Sequence, residues 1–197
     1  MPTSSATRPA RERLLAAAAE LFYESGIAAT GVDAVLARAG TSPATLYAHF
    51  AGKDGLVAAY LEERHQAWRA TWDEVLAGRS DPVERLLSVF DAVGRYRDEQ
   101  GNRRGCAFLA AATELPAGHP GQPWLAADSR LLTERLRELA ADAGLPDADD
   151  AAATLLLLYD GALSRYARVA TTPGLAGDDP VDRARRLAAG WIAAQLG

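Results

Sequence analysis

The segment from Thr30 to Lys53, TGVDAVLARAGTSPATLYAHFAGK, constrains the fold of this chain more than any other stretch. It reads as two short helices joined by a tight turn. Thr30 can cap the first, whose apolar positions are Val32, Val35 and Leu36, with Ala39 at its end. Gly40 then supplies a left-handed residue, which ends a helix cleanly. Ser42 is an N-cap, and Pro43 stands at the first helical position, where a missing N–H costs nothing. The second helix, Pro43 to His49, buries Leu46 and Phe50. It leaves Ala44, Thr45, Tyr47 and His49 for other contacts. This is the layout of a helix-turn-helix, which sets its second helix in the major groove of DNA.

The rest of the chain reads as helical. Among its 197 residues, 49% are hydrophobic, enough for a buried core. Alanine and leucine dominate, and no run with the two-residue period of a strand stands out, so the expected class is all-α. Helix one is expected over Pro9 to Ser25, with Leu14, Leu15, Ala18, Leu21 and Phe22 at helical spacing, after a Ser/Thr-rich start over 1–7 expected to be disordered. Helix four is expected from Lys53 to Ala77, with the stripe Leu56, Tyr60, Leu61, His65, Trp68, Trp72 and Leu76. Further helices are expected over Pro82 to Gln100, Cys106 to Leu115, Trp124 to Ala143, Asp147 to Ala170 and Val181 to Leu196. Between them lie a polar loop over 101–105, a Pro/Gly break over 116–123 and a Pro/Gly/Asp loop over 171–180. That makes about nine helices, divided into a DNA-binding domain over 1–52 and a helical domain over 53–197.

Charge alone does not suggest a nucleic-acid partner, since the net charge is −5. Residues 1–55 balance five basic side chains (Arg8, Arg11, Arg13, Arg38, Lys53) against five acidic ones (Glu12, Glu20, Glu24, Asp33, Asp54), so the excess of acid lies beyond them. The motif, not the charge, points to DNA. One cysteine, Cys106, excludes an intrachain disulfide and fits a reducing cytoplasm. There is no apolar leader and no apolar run of membrane-spanning length, so no membrane partner is expected.

Over about Arg11 to Leu61, RERLLAAAAELFYESGIAATGVDAVLARAGTSPATLYAHFAGKDGLVAAYL, the chain resembles the tetracycline-repressor-like (TetR/AcrR) family of bacterial transcription regulators. The resemblance rests on LFYESG at the end of helix one, the Thr-Gly-Val entry to helix two and the Ala-Gly-Thr-Ser turn. It rests also on Thr-Leu-Tyr-x-His-Phe in helix three and Lys-Asp-Gly-Leu at the start of helix four. Taken residue by residue, it implies that Thr41, Ser42, Pro43, Ala44 and Thr45 lie nearest the DNA. It places Tyr47, His49 and Lys53, the single lysine, where the family contacts phosphates or bases. Arg38 and the cluster Arg8, Arg11 and Arg13 are further candidates for phosphate or minor-groove contact. Plainer readings stand beside these. Tyr47 is otherwise a packed aromatic, His49 a solvated cap, and Arg11 and Arg13 a solvated face paired with Glu12 or Glu20. Helix three carries no Arg or Lys, so the strongest reader of guanine is missing from it. Thr45, with a hydroxyl and a methyl, is then the reader of base edges, or Arg38 and the N-terminal arginines are.

The resemblance also implies a C-terminal effector pocket and a two-fold homodimer. Candidate pocket residues are His65, Trp68, Trp72, Phe90, Tyr96, Cys106, Phe108, Trp124, Tyr159 and Tyr166; an aromatic stripe at helical spacing is otherwise plain core. Asp160, beside an apolar run, is expected to pair with Arg165 or Arg168, or else to contact a ligand. Leu155–Leu158 leave no polar face on their turn, which implies a helix buried all round. The family places that helix and the last one in a four-helix dimer bundle, so Leu155, Leu157, Leu158, Leu163, Leu187 and Trp191, with Val169 and Leu196, are expected at the dimer interface. A two-fold dimer demands a palindromic operator with readers spaced by whole turns of DNA, about 34 Å each. An effector would wedge among helices four, five, seven and eight and pivot helix four, with a coupling of about 1–3 kcal/mol.

The rival classes are weaker. The three histidines, at 49, 65 and 119, have no metal-ligand spacing, and no hydrolase or metalloprotease motif is present, so neither enzyme nor cofactor is expected. The alternative reading is a helical small-molecule-binding protein without DNA function. Repression is the family's usual mode and is the expected one.

Overall fold

In a computed structural model, residues 9–100, 105–171 and 177–197 are described. Among them the chain forms nine α-helices: α1 Ala10–Ser25, α2 Val32–Ala39, α3 Pro43–Phe50, α4 Lys53–Ala77, α5 Pro82–Gln100, α6 Ala107–Glu114, α7 Gln122–Asp142, α8 Ala148–Thr171 and α9 Pro180–Leu196. No strand occurs among the described residues. The expected helices are all present, with ends shifted by at most two residues. Residues 101–104 of the expected loop over 101–105, residues 172–176 of that over 171–180, and the expected disorder over 1–7 lie outside the described residues.

The chain divides into two compact units, one drawn from Met1–His65 and Ala107–Ala127, the other from Gln66–Cys106 and Asp128–Gly197. In the first, α1, α2, α3 and the start of α4 close over Leu14, Phe22, Val35, Leu46, Leu56 and Leu61, and α6 and the residue after it add Ala111 and Leu115 to the same core. The helix-turn-helix thus packs with a segment far along the chain. Three short helices bury little apolar surface by themselves, and each further buried leucine contributes roughly 1.5–3 kcal/mol. In the second unit, Trp68, Trp72, Leu86, Phe90, Leu136 and Leu155 form a core shared by α4, α5, α7, α8 and α9. Trp72 donates its indole N–H to Ser88 Oγ at 2.9 Å, which satisfies a fully buried polar atom.

Two features of the sequence fold differently from expectation. Thr30 does not cap α2: Gly31 stands at the N-cap without a side-chain bond. The buried Thr30 hydroxyl instead donates back toward the carbonyls of Gly26 (2.7 Å) and Leu21 (3.2 Å), tying the α1–α2 loop to the end of α1. The run Leu155–Leu158 is not buried all round in the single chain. Leu155 is fully buried, whereas Leu157 is 76% exposed.

Candidate nucleic-acid interface

The turn between α2 and α3 is built as its residues dictate. Gly40 is left-handed, with φ 59° and ψ 48°. Thr41 N–H bonds back to Leu36 at 3.1 Å, closing the end of α2. Ser42 caps α3 by accepting the Thr45 N–H at 3.3 Å, with Pro43 in the first turn. The Ser42 and Thr45 hydroxyls lie 2.9 Å apart and share a hydrogen bond. The helix ends on Ala51, whose φ of 55° is unusual for a residue with a Cβ. Where α4 begins, a Cβ at Gly55 would stand 1.8 Å from the Phe50 carbonyl, so only glycine lets the two helices meet this closely.

On α3, Leu46 and Phe50 are buried, while Pro43, Ala44, Tyr47 and His49 face outward and Thr45 is half-buried. Tyr47 is 63% exposed, so it is not a packed aromatic. The structure therefore brings Ser42, Pro43, Ala44, Thr45, Tyr47 and His49 onto one short helix and its cap. The hydroxyl of Thr41 is enclosed, which makes Thr41 a residue of the turn more than of the surface.

The cations divide differently from expectation. Arg13 neither stands free nor pairs with Glu12 or Glu20 as a solvated face. It crosses to the turn, where Nε donates to the Ala39 carbonyl at 3.0 Å and Nη2 to the Gly40 carbonyl at 3.3 Å. A cation at the C-terminus of α2 also complements the negative end of that helix's dipole. Glu20 pairs instead with Arg38, at the exposed last turn of α2. The Arg11 guanidinium lies 5.3 Å from the centre of the Phe50 ring. Lys53 Nζ reaches the Ala28 carbonyl at 3.5 Å, a weak contact from the first turn of α4. Arg8 lies outside the described residues. No sequence signal marked Arg13 as a clamp, because its partners are backbone carbonyls of another helix.

The expected pocket residues fall into two clusters. In the first unit, the His65 ring lies 5.9 Å from that of Trp124 and 6.4 Å from that of Phe108. In the second, Trp68 stacks on Trp72 at 5.5 Å and meets Tyr96 at 5.8 Å and Tyr159 at 6.1 Å. Trp72 and Phe90 are wholly enclosed and serve as core. The Trp68 indole N–H is buried without an acceptor among the described residues. Burial pushes the Tyr159 phenol well above its ordinary value, and Cys106, Asp128 and Asp160 push it the same way. Asp160 does not pair with Arg165 or Arg168. Burial raises its pKa, and the nearby Asp128 carboxylate adds to the rise.

On α8 and α9, a groove of about 510 Å³ is lined by Leu157, Leu158, Ala162, Arg165, Val169 and Leu187, among others. Leu187 is 57% exposed and Leu196 45%. Trp191 and Leu158 are half-buried. Leu155 and Leu163, expected at an interface, are instead buried in the chain's own core.

Fold and reading helix together define a helix-turn-helix regulator of transcription. The family model for the N-terminal part of bacterial regulatory proteins of the tetR family matches residues 14–60. A structure of a putative TetR-type transcriptional regulator from Streptomyces avermitilis is 35% identical, covers 92% of this chain and 98% of its own, and superposes with a TM-score of 0.71. A TetR-family transcriptional regulator from Streptomyces coelicolor is 29% identical over 95% of this chain and 94% of its own, with a TM-score of 0.78. Among curated relatives, the transcriptional activator FasR of Mycolicibacterium smegmatis is 34% identical over 47% of this chain. The match spans 43% of that relative's own length, less than half. The regulator BetI of Stenotrophomonas maltophilia is 28% identical over 100% of this chain and 97% of its own. The chain belongs to the TetR family of transcription regulators.

Proposed function

We propose that this regulator is a homodimer that represses transcription in the cytoplasm from a palindromic operator and is released by a small-molecule effector. The observation that carries the dimer is the exposed leucine face of the last two helices, Leu157 and Leu187 above all. Leaving large apolar side chains in water forgoes about 25 cal/mol per Å² of burial, and leucines exposed together on two neighbouring helices favour an interface. A second copy of the same face supplies matching leucines, and a two-fold axis makes them self-complementary.

Ser42, Pro43, Ala44, Thr45, Tyr47 and His49 meet the DNA, with Lys53 on a phosphate. Small residues at the start of α3 let its backbone approach the groove floor. Thr45 offers a hydroxyl and a methyl to base edges. Arg38 reaches a phosphate only by leaving Glu20, an exposed pair worth little and easily exchanged. The effector takes the aromatic interior of the second unit, where the Trp68 indole N–H offers an unused donor beside Tyr159. The dimer is tested by sedimentation velocity of the full chain. A two-chain species at micromolar concentration supports it, and a monomer throughout overturns it.

A further inference from the structure

The α1–α2 loop and the start of α4 are each fastened to the segment containing α6, within the same compact unit. Glu114, the last residue of α6, accepts the Ala28 N–H through Oε2 at 2.6 Å, across 86 positions of sequence. Its other oxygen packs against Gly26, where a Cβ would stand 3.2 Å away. The carbonyl of Ala28 is the atom that Lys53 Nζ reaches. Glu114 and Lys53 therefore hold the two sides of one residue.

The second fastening is His119, in the turn after α6. Its Nδ1 accepts the Gly121 N–H at 2.9 Å, so Nδ1 carries no proton and Nε2 is the ring's donor. Nε2 faces Asp54 Oδ1 at 3.4 Å, one residue after Lys53. His119 is buried and Asp54 is exposed.

We infer that Glu114 and His119 are positioning residues for DNA binding: without touching DNA, they fix Ala28 and Asp54 and so hold Lys53 where it meets a phosphate. The inference rests on Lys53 being a phosphate contact. A displacement of α6 then reaches the reading surface through one hydrogen bond, Glu114 to Ala28, and one close contact, His119 to Asp54. A carboxylate accepting a backbone N–H is a strong, directional bond, and an amide of the same shape keeps its geometry without its charge.

The test uses the full chain and a labelled duplex enriched by it from a random-sequence pool, with affinity followed against salt. Lys53→Ala is expected to reduce the log–log salt slope by about 0.9, one phosphate. An unchanged slope overturns the Lys53 reading itself. Glu114→Ala is expected to weaken binding about tenfold at an unchanged slope, the loss of one charge-assisted bond. Glu114→Gln is expected to restore most of it. In the Lys53→Ala background the Glu114→Ala penalty is expected to shrink, because the two act through Ala28. Wild-type binding by Glu114→Ala, or an equal penalty with and without Lys53, overturns the inference while leaving the Lys53 reading intact. Melting curves confirm folding. If Glu114→Ala does not fold, His119→Asn carries the same test: Asn keeps an acceptor for Gly121 and gives up the contact with Asp54. Weaker binding at an unchanged slope supports the inference, and wild-type binding overturns it.

Discussion

Arg13 of α1 is bonded to the carbonyl of Ala39, the last residue of α2, at 3.0 Å. This contact ties the turn of the helix-turn-helix to α1, while Ser42 ties it to the reading helix. Arg13→Ala is predicted to lower stability by about 1 kcal/mol, or roughly 2–4 °C in Tm for a chain of this size. Arg13→Lys recovers only part, since an ammonium cannot reproduce the planar fork that spans Ala39 and Gly40. Thermal denaturation checks both, and an unchanged Tm for Arg13→Ala contradicts the clamp.

The reading helix ends on a left-handed alanine, Ala51, which carries a steric cost that glycine avoids. Ala51→Gly is predicted to raise stability by up to about 1 kcal/mol, measured by urea denaturation. A loss of stability contradicts the reading of strain at this cap.

Much of this was legible in the chain. Gly40, Ser42 and Pro43 are local signals, each acting on its neighbours, so turn and cap followed from spacing alone. Thr30 misled for a physical reason: its hydroxyl serves equally well as a cap or as a tie to the preceding helix, and the Gly26 and Leu21 carbonyls were within reach. Arg13, Glu114 and His119 were not legible, because their partners are distant backbone groups or a lone carboxylate and leave no pattern in sequence. The run Leu155–Leu158 has no polar residue to mark an outer face, yet a helix turn presents Leu157 away from Leu155, and the single chain covers only the latter.

Leu157→Glu is predicted to convert the dimer to monomer by placing a charge in an apolar interface, with little effect on the fold because Leu157 is exposed in the single chain. Sedimentation velocity reads the first and circular dichroism the second. A mutant that still sediments as a dimer contradicts the proposed face.

Asp160 has a pKa raised above its ordinary value near 3.8, by burial and then by Asp128. The folded chain therefore binds this proton more tightly than the unfolded chain. Stability from this group is present at low pH and is lost as pH rises from the ordinary value through the raised one. Asp160→Asn is predicted to raise Tm at pH 7, and the advantage to narrow as pH falls toward 4. An advantage that does not change with pH contradicts the assignment.

At the reading surface, Thr45→Ala is predicted to change preference among sequences, at a cost of about 1–3 kcal/mol confined to the position it reads. Competition binding with single-base variants of the enriched duplex checks this. A uniform loss across all variants makes Thr45 a positioning residue instead.

The most direct test of the central claim, a symmetric dimer reading DNA through α3, is selection from a random duplex pool with the purified full chain. An enriched palindrome, with half-sites related by whole helical turns, is the predicted result. A folded protein that enriches no sequence, or enriches only an asymmetric one, contradicts it.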